Sequence, residues 1–198
     1  QQEGALVNWK NNPDGTRSPY EMNVTYMDAL SRRECSDEER CARFILAHAI
    51  LLSFPGVPAI YIQSILGSRN DYAGVEKLGY NRAINRKKYS SKEITTELNN
   101  KATLSYSVYY KLSHLITLRR SHKEFHPDNN FTIDAINSFV MRIQRSNADG
   151  DCLTGLFNVS ENIQHINITD LHGRDLISEV DILGNEITLH PWQVMWIK

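Results

Sequence analysis

The chain is poor in cysteine, with three, Cys35, Cys41 and Cys152, among 198 residues. The count is odd and no Cys-x-x-Cys occurs, so neither a disulfide framework nor a thiolate zinc site organises the fold. The sequence points to no cofactor and no metal. It also lacks an excess of either charge. Twenty-two Lys and Arg against 23 Asp and Glu leave a net charge of −1. That gives no electrostatic case for nucleic acid or an anionic membrane as a partner. No apolar run reaches the ~18 residues needed to span a bilayer. Residues 1–10 have neither an initiating Met nor a basic stretch leading into an apolar one, so they are no export signal. A reducing, cytoplasmic compartment fits these absences. In that compartment Asn23-Val24-Thr25 and Asn167-Ile168-Thr169 are chance sequons. The missing Met leads us to expect a piece of a longer polypeptide. No internal repeat or low-complexity segment is visible.

The composition is that of an ordinary globular chain, 41% hydrophobic and 23% charged. Residues 1–33 read as loop-rich, with a turn at Asn12-Pro13-Asp14-Gly15 and either a short helix or a strand over 22–30. Ser36 with Glu39 makes a capping box. Cys41, Phe44, Ile45, His48, Leu51 and Leu52 then recur at helical spacing, predicting a helix over 37–53 that Pro55-Gly56 stops. Residues 59–65 are apolar on both faces, as in a strand buried within a parallel sheet. Residues 66–100 read as a long polar loop of the kind that carries function. Ser90-Ser91-Lys92-Glu93 could begin a turn of helix there. A second helix is expected over 101–121, with Leu104, Val108, Leu112, Leu115, Ile116 and Leu118 on one stripe. After His126-Pro127-Asp128-Asn129-Asn130 the period falls to about two. Strands over 139–145 and 152–159 flank a turn at Asn147-Ala148-Asp149-Gly150. Further candidates lie at 163–168, 175–180, 186–189 and 192–197. The sum is a small antiparallel module of about five or six strands.

This order of elements resembles the C-terminal end of the α-amylase superfamily of glycosidases, in which PGVP-type turns such as Pro55-Gly56-Val57-Pro58 introduce the eighth barrel strand. The superfamily's β domain often closes on P-x-x-V-x-W, matched here by Pro191-Trp192-Gln193-Val194-Met195-Trp196. Tyr20-Glu21-Met22-Asn23, Tyr26-Met27-Asp28-Ala29-Leu30, Gly67-Ser68-Arg69-Asn70-Asp71 and Asn81-Arg82-Ala83-Ile84-Asn85-Arg86 are similar to motifs of the sucrose phosphorylase branch. Ser18-Pro19-Tyr20-Glu21 and Gly67-Ser68-Arg69-Asn70 look more like its glucosylglycerate-acting members. The resemblance implies an α/β plus all-β fold class. Residues 1–126 would be the C-terminal portion of a (β/α)8 TIM barrel, and 127–198 a small antiparallel β domain. It implies a retaining glycoside phosphorylase that moves glucose from an α-glucoside to phosphate. The alternatives are a hydrolase or transglucosidase of the same superfamily, or a non-catalytic carbohydrate-binding module. The family's aspartate nucleophile, glutamate acid/base and substrate-steadying aspartate have no counterpart here. They are expected upstream of Gln1, with the upstream part of the same polypeptide, or another copy in a homo-oligomer, covering the open barrel edge.

The resemblance also assigns residues. Arg82 matches the arginine that grips the glucosyl unit, where a planar fork of donors suits paired hydroxyls and carboxylates. Ala83 departs from the usual Asp and Asn81 from the usual Gly. Tyr20 and Glu21 match a Tyr-Gln pair on the acceptor and phosphate side. A glutamine donates to phosphate and a carboxylate cannot, so Glu21 implies an altered acceptor pocket. Arg17 and Ser18 precede that pair, where an arginine could meet a phosphate or an acceptor carboxylate such as that of glycerate. Asn70 and Asp71 are candidates too, although such residues commonly bond their own backbone in turns. His48 reads as core. His122 and His126 have metal-like spacing but suit a helix end. Trp192 and Trp196 read as β-module core.

Overall fold

The computed structural model describes residues 4–169 and 171–198. Contacts divide them into two units, 4–44 with Ile60–Tyr110, and Ile45–Ala59 with Lys111–Lys198.

The first unit opens on a hairpin of β1 (Leu6–Asn11) and β2 (Arg17–Asn23), where a loop-rich lead was expected. Alternating polar and apolar residues on both sides of the turn drive it. In that turn Gly15 takes φ +80°, Gly15 N–H reaches Asn12 O at 3.1 Å, and the Asp14 carboxylate accepts from Thr16. The ladder is irregular. Asn8 faces Glu21 but Trp9 faces Pro19, so Tyr20 is an extra residue on β2, a bulge beside a residue with no N–H to give. Thr25 then caps α1 (Tyr26–Ala29). Helix α2 (Asp37–Ser53) and helix α6 (Leu104–Ser121) lie where their periodicities place them. Ser36 Oγ accepts Glu39 N–H at 3.2 Å, the N-cap half of the expected box.

Two expectations fail in this unit. Residues 57–61 join no ladder, and Ile62–Ile65 is a short helix, α3. Tyr61 and Ile62 are exposed rather than buried on two faces. A central parallel strand exists only through its neighbours' hydrogen bonds, and no described residue offers it an edge. The expected long loop over 66–100 is instead largely helical. Asp71 caps α4 (Tyr72–Leu78), which Gly79 ends at φ +72°. A 3-10 helix covers Asn81–Asn85. Ser90 and Glu93 form a full capping box on α5 (Ser91–Asn99). Gly67 stands at φ +61°, and a Cβ there would come within 3.1 Å of Val108, so the chain passes α6 at backbone contact.

In the second unit β3 (Asn130–Ala135), β4 (Val140–Ser146), β5 (Cys152–Asn158) and β10 (Val194–Ile197) form one antiparallel sheet in the order β10-β5-β4-β3. Two-stranded ladders pair β6 (Gln164–Asn167) with β9 (Glu186–Leu189) and β7 (Gly173–Arg174) with β8 (Asp181–Ile182). The strands are thus more numerous and shorter than expected. The candidate strand over 175–180 is a turn. Buried Asp175 accepts from Ile177 N, Ser178 N, Ser178 Oγ and Trp196 N, and an Asp that satisfies the local backbone outcompetes a ladder. Val140, Leu156, Ile166, Ile187, Leu189, Met195 and Ile197 form one buried apolar cluster of this unit. Trp196 is fully buried as expected, but Trp192 is only partly buried and stands at φ +59°. His48 is buried, and His122 Nδ1 lies 2.8 Å from Leu118 O at the end of α6.

Two buried guanidinia close α2. Arg119 donates to Leu52 O, Phe54 O and Gly56 O, and Arg145 to Ser53 O and His126 O. They satisfy carbonyls that a helix end leaves open. Among the described residues no helix is long and apolar enough to cross a membrane, and no cluster of His, Cys, Asp or Glu could hold a metal ion.

Candidate functional site

Arg82 and Glu21 meet, though 61 residues apart in sequence. Arg82 Nε–H is shared between Glu21 Oε1 at 3.1 Å and Oε2 at 2.9 Å. Asn8 Nδ2 donates to Glu21 Oε2 at 2.9 Å, and Asn81 Nδ2 donates to Asn8 Oδ1 at 2.7 Å. The four side chains therefore run in a chain from Asn81 through Asn8 and Glu21 to Arg82, which is bonded back to Asn81 along the backbone. Each amide's orientation follows, because only an N–H can serve a carboxylate. The bulge matters here, since Glu21 is the last residue before the slip and lies directly across from Asn8. The 3-10 helix is held from beneath by buried Ala83 and Ile84 and by Asp71 N–H donating to Ile84 O at 2.8 Å. Asn81 is thereby offered to β1 and Arg82 to β2.

The Arg82 guanidinium, then the Asn8 amide, hold the Glu21 carboxyl below its ordinary value of 4.5, and Glu21 in turn raises Arg82. The two side chains are 46% and 31% exposed, for Arg82 and Glu21 respectively. Solvent screens such a pair, so its value lies in geometry more than in stability. A depressed folded pKa contributes above the unfolded value and is lost as pH falls through the folded one. Glu21→Gln is therefore expected to lower the urea midpoint slightly at pH 7, by an amount that shrinks as the pH falls below the ordinary carboxyl value of 4.5. A difference that stayed constant as the pH was lowered would show that shape rather than charge is responsible.

The remaining candidates separate. Tyr20 is on the bulge, largely exposed, and makes a minor contribution to holding Arg82 charged. Arg17 stacks over the Trp9 ring at 5.9 Å, and Ser18 Oγ bonds Asn12 Oδ1, so both serve the hairpin tip. Asn70 Oδ1 accepts Thr25 N–H at 2.8 Å, and Asp71 caps α4 by accepting Gly74 N–H at 2.9 Å. Both work for the backbone. Sequence reasoning missed Asn8, a polar strand residue with no motif around it. It also missed a buried anchor. Asp28 takes Arg40 and Arg69 on Oδ1, and Asn70 N–H and Thr25 Oγ1 on Oδ2, tying the segment after β2 to the loop before α4.

No protein-family model matches the chain. It is 89% identical over 198 residues to the glucosylglycerate phosphorylase of Escherichia coli, covering all of this chain and 35% of that protein. It is 36% identical over 199 residues to the glucosylglycerate phosphorylase of Allomeiothermus silvanus, covering 99% and 34%. It is 33% identical over 122 residues to the sucrose phosphorylase of Agrobacterium vitis, covering 62% and 22%. The solved sucrose 6F-phosphate phosphorylase of Thermoanaerobacter thermosaccharolyticum superposes at a TM-score of 0.64 with 23% identity, covering 95% of this chain and 34% of that one. The trehalulose synthase of Pseudomonas mesoacidophila gives 0.57 at 17% identity, covering 79% and 38%. The chain spans about a third of the length of the curated relatives it matches across nearly its whole extent. By sequence the chain groups with the glucosylglycerate and sucrose phosphorylases, of which it matches about a third, and its fold is that of the C-terminal part of the barrel in the solved structures, followed by antiparallel β structure.

Proposed function

We propose that this chain forms one wall of the substrate site of a cytoplasmic, retaining phosphorylase that transfers glucose from glucosylglycerate to phosphate, giving α-glucose 1-phosphate. The observation that carries this reading is the Arg82–Glu21 pair. A lone Glu21 would repel phosphate. Paired with Arg82 it is neutralised, so the wall tolerates an anionic co-substrate while Glu21 fixes the guanidinium through a single N–H. The terminal nitrogens of Arg82 are then left to meet sugar hydroxyls. The nucleophile and the acid/base carboxyl, which retaining chemistry sets ~5–5.5 Å apart, belong to the rest of the polypeptide in this reading. The division at 126/127 separates barrel from β domain, and the rest of the polypeptide is the chain's first partner.

Arg82→Ala in the full-length enzyme tests it. The phosphorolytic kcat/KM is expected to fall by roughly 10- to 100-fold, the loss of one charged hydrogen-bonding group, with the melting temperature little changed. Arg82→Lys should not restore it, because an ammonium cannot share one planar N–H between two carboxylate oxygens and still reach the sugar. Phosphorolysis at the wild-type rate in Arg82→Ala would remove the site assignment.

A further inference from the structure

We propose that Arg86 is the oxyanion-binding residue of the cleft beside this pair, and that its ligand is a carboxylate or phosphate of the acceptor side. The cleft has a volume of about 640 Å³ and is lined by Asn8, Gly79, Tyr80, Asn81, Arg82 and Arg86. The 3-10 helix borders it, anchored by buried Ala83 and Ile84, with Asn81 and Arg82 on the lining and Asn85 turned instead to Val24 O at 3.4 Å. The backbone of Arg86 is fixed where that helix ends, its N–H bonding Ala83 O at 3.1 Å.

The charges on the lining do not cancel. Arg82 has its counter-charge in Glu21 at 2.9 Å. Arg86 is exposed, and no ion pair or side-chain hydrogen bond engages it among the described residues. The cleft thus holds one uncompensated guanidinium, with five N–H donors in a planar fork, beside two amides and a tyrosine. That set fits a small hydroxylated anion: the guanidinium takes two oxygens side by side and the amides serve hydroxyls. A neutral polyol would leave the fork unpaired, which costs affinity. Arg17, the other arginine near the acceptor side, is stacked on Trp9 and lines no part of this cleft.

This inference rests on the phosphorylase reading for the identity of the anion but not for the existence of the site, and the test separates the two. In the full-length enzyme, inorganic phosphate and D-glycerate are each titrated calorimetrically into wild type, Arg86→Gln and Arg86→Lys, and KM is measured for phosphate and for glucosylglycerate. Arg86→Gln is expected to weaken binding of one of the two anions by about tenfold or more, with Arg86→Lys intermediate. A weakened glycerate affinity with a raised glucosylglycerate KM identifies the carboxylate. A weakened phosphate affinity with a raised phosphate KM identifies the co-substrate. Unchanged affinity for both anions in Arg86→Gln overturns the proposal, even if the enzyme phosphorolyses glucosylglycerate normally. An enzyme that binds an anion through Arg86 yet turns over no glucosylglycerate keeps the site and loses the functional reading instead.

Discussion

Asp28→Ala lowers stability by about 3–5 kcal/mol, a fall of about 2 M in the urea midpoint at a slope near 2 kcal/mol per molar. The size follows from what is left behind. Arg40 is 2% exposed and faces Asp28 at 3.4 Å; its other hydrogen-bond partners are the carbonyls of Arg32, Arg33 and Cys35. Removing the carboxylate leaves that guanidinium, in a dry site, with only the carbonyls and the largely exposed Asp37 carboxylate at 3.7 Å, and a poorly compensated buried charge costs more than the pair contributed. Asn70 N–H, 2.7 Å from Asp28 Oδ2, loses its acceptor at the same time. Arg69, 43% exposed, turns to water and adds little. Asp28→Asn keeps an acceptor oxygen and should recover part of the loss. Hydrogen exchange should quicken first at residues 25–28 and 68–71, since this carboxylate holds those segments together. A loss under 1 kcal/mol would mean that water reaches Arg40.

Trp196→Ala costs a similar ~3–5 kcal/mol, through a void rather than a charge. The indole is fully buried, lies 4.7 Å from the Phe125 ring, and donates Nε1–H to Ser53 Oγ at 3.0 Å. Gly155 has no side chain to move inward, and a Cβ there would already stand 3.4 Å from the indole, so the cavity cannot collapse from that side. Trp196→Phe separates packing from hydrogen bonding. Most of the apolar area stays, and Ser53 Oγ still donates to Ala49 O at 2.8 Å. Its cost should be nearer 1 kcal/mol, on top of whatever volume is lost. Equal losses for Ala and Phe would assign the indole's contribution to its N–H.

What the sequence disclosed depended on where each signal came from. Helices α2 and α6 carry apolar stripes whose buried members include Phe44, Leu52, Val108, Leu112 and Leu115, so periodicity alone finds them. Helices α4 and α5 bury none of their residues fully, and at seven and nine residues their few apolar positions, Tyr72, Val75 and Leu78 or Ile94 and Leu98, span too few turns to set a period. The cap formed by Ser90 and Glu93 is legible as the start of a turn of helix, whereas Asp71 reads only as a turn residue bonding its own backbone. The strand expected over 59–65 fails for the opposite reason. Its apolar content is real, but a strand is a property of two chains, and this segment has no partner among the described residues. At the site, Arg82, Glu21 and Asn81 stood out through motifs. Asn8 could be found only by pairing the two strands, and Asp28 only by seeing that three separate segments share one carboxylate.

The extra residue at Tyr20 has a consequence for how this hairpin tolerates insertion and deletion. A regular ladder is a rigid ruler, and lengthening either arm by one residue reverses every side chain beyond the change. Here the slip lies between the rung that carries Asn8 and Glu21 and the tip that carries Trp9, Arg17 and Ser18. Codons gained or lost in the tip can therefore be absorbed without turning that rung over. The tip becomes a region whose length and sequence can drift or be changed by loop grafting, while the carboxylate facing Arg82 keeps its place. Deleting Tyr20 itself would restore a regular ladder with the same rungs, Asn8 opposite Glu21 and Trp9 opposite Pro19, so the tip would keep its face and lose only the slack that absorbs such changes.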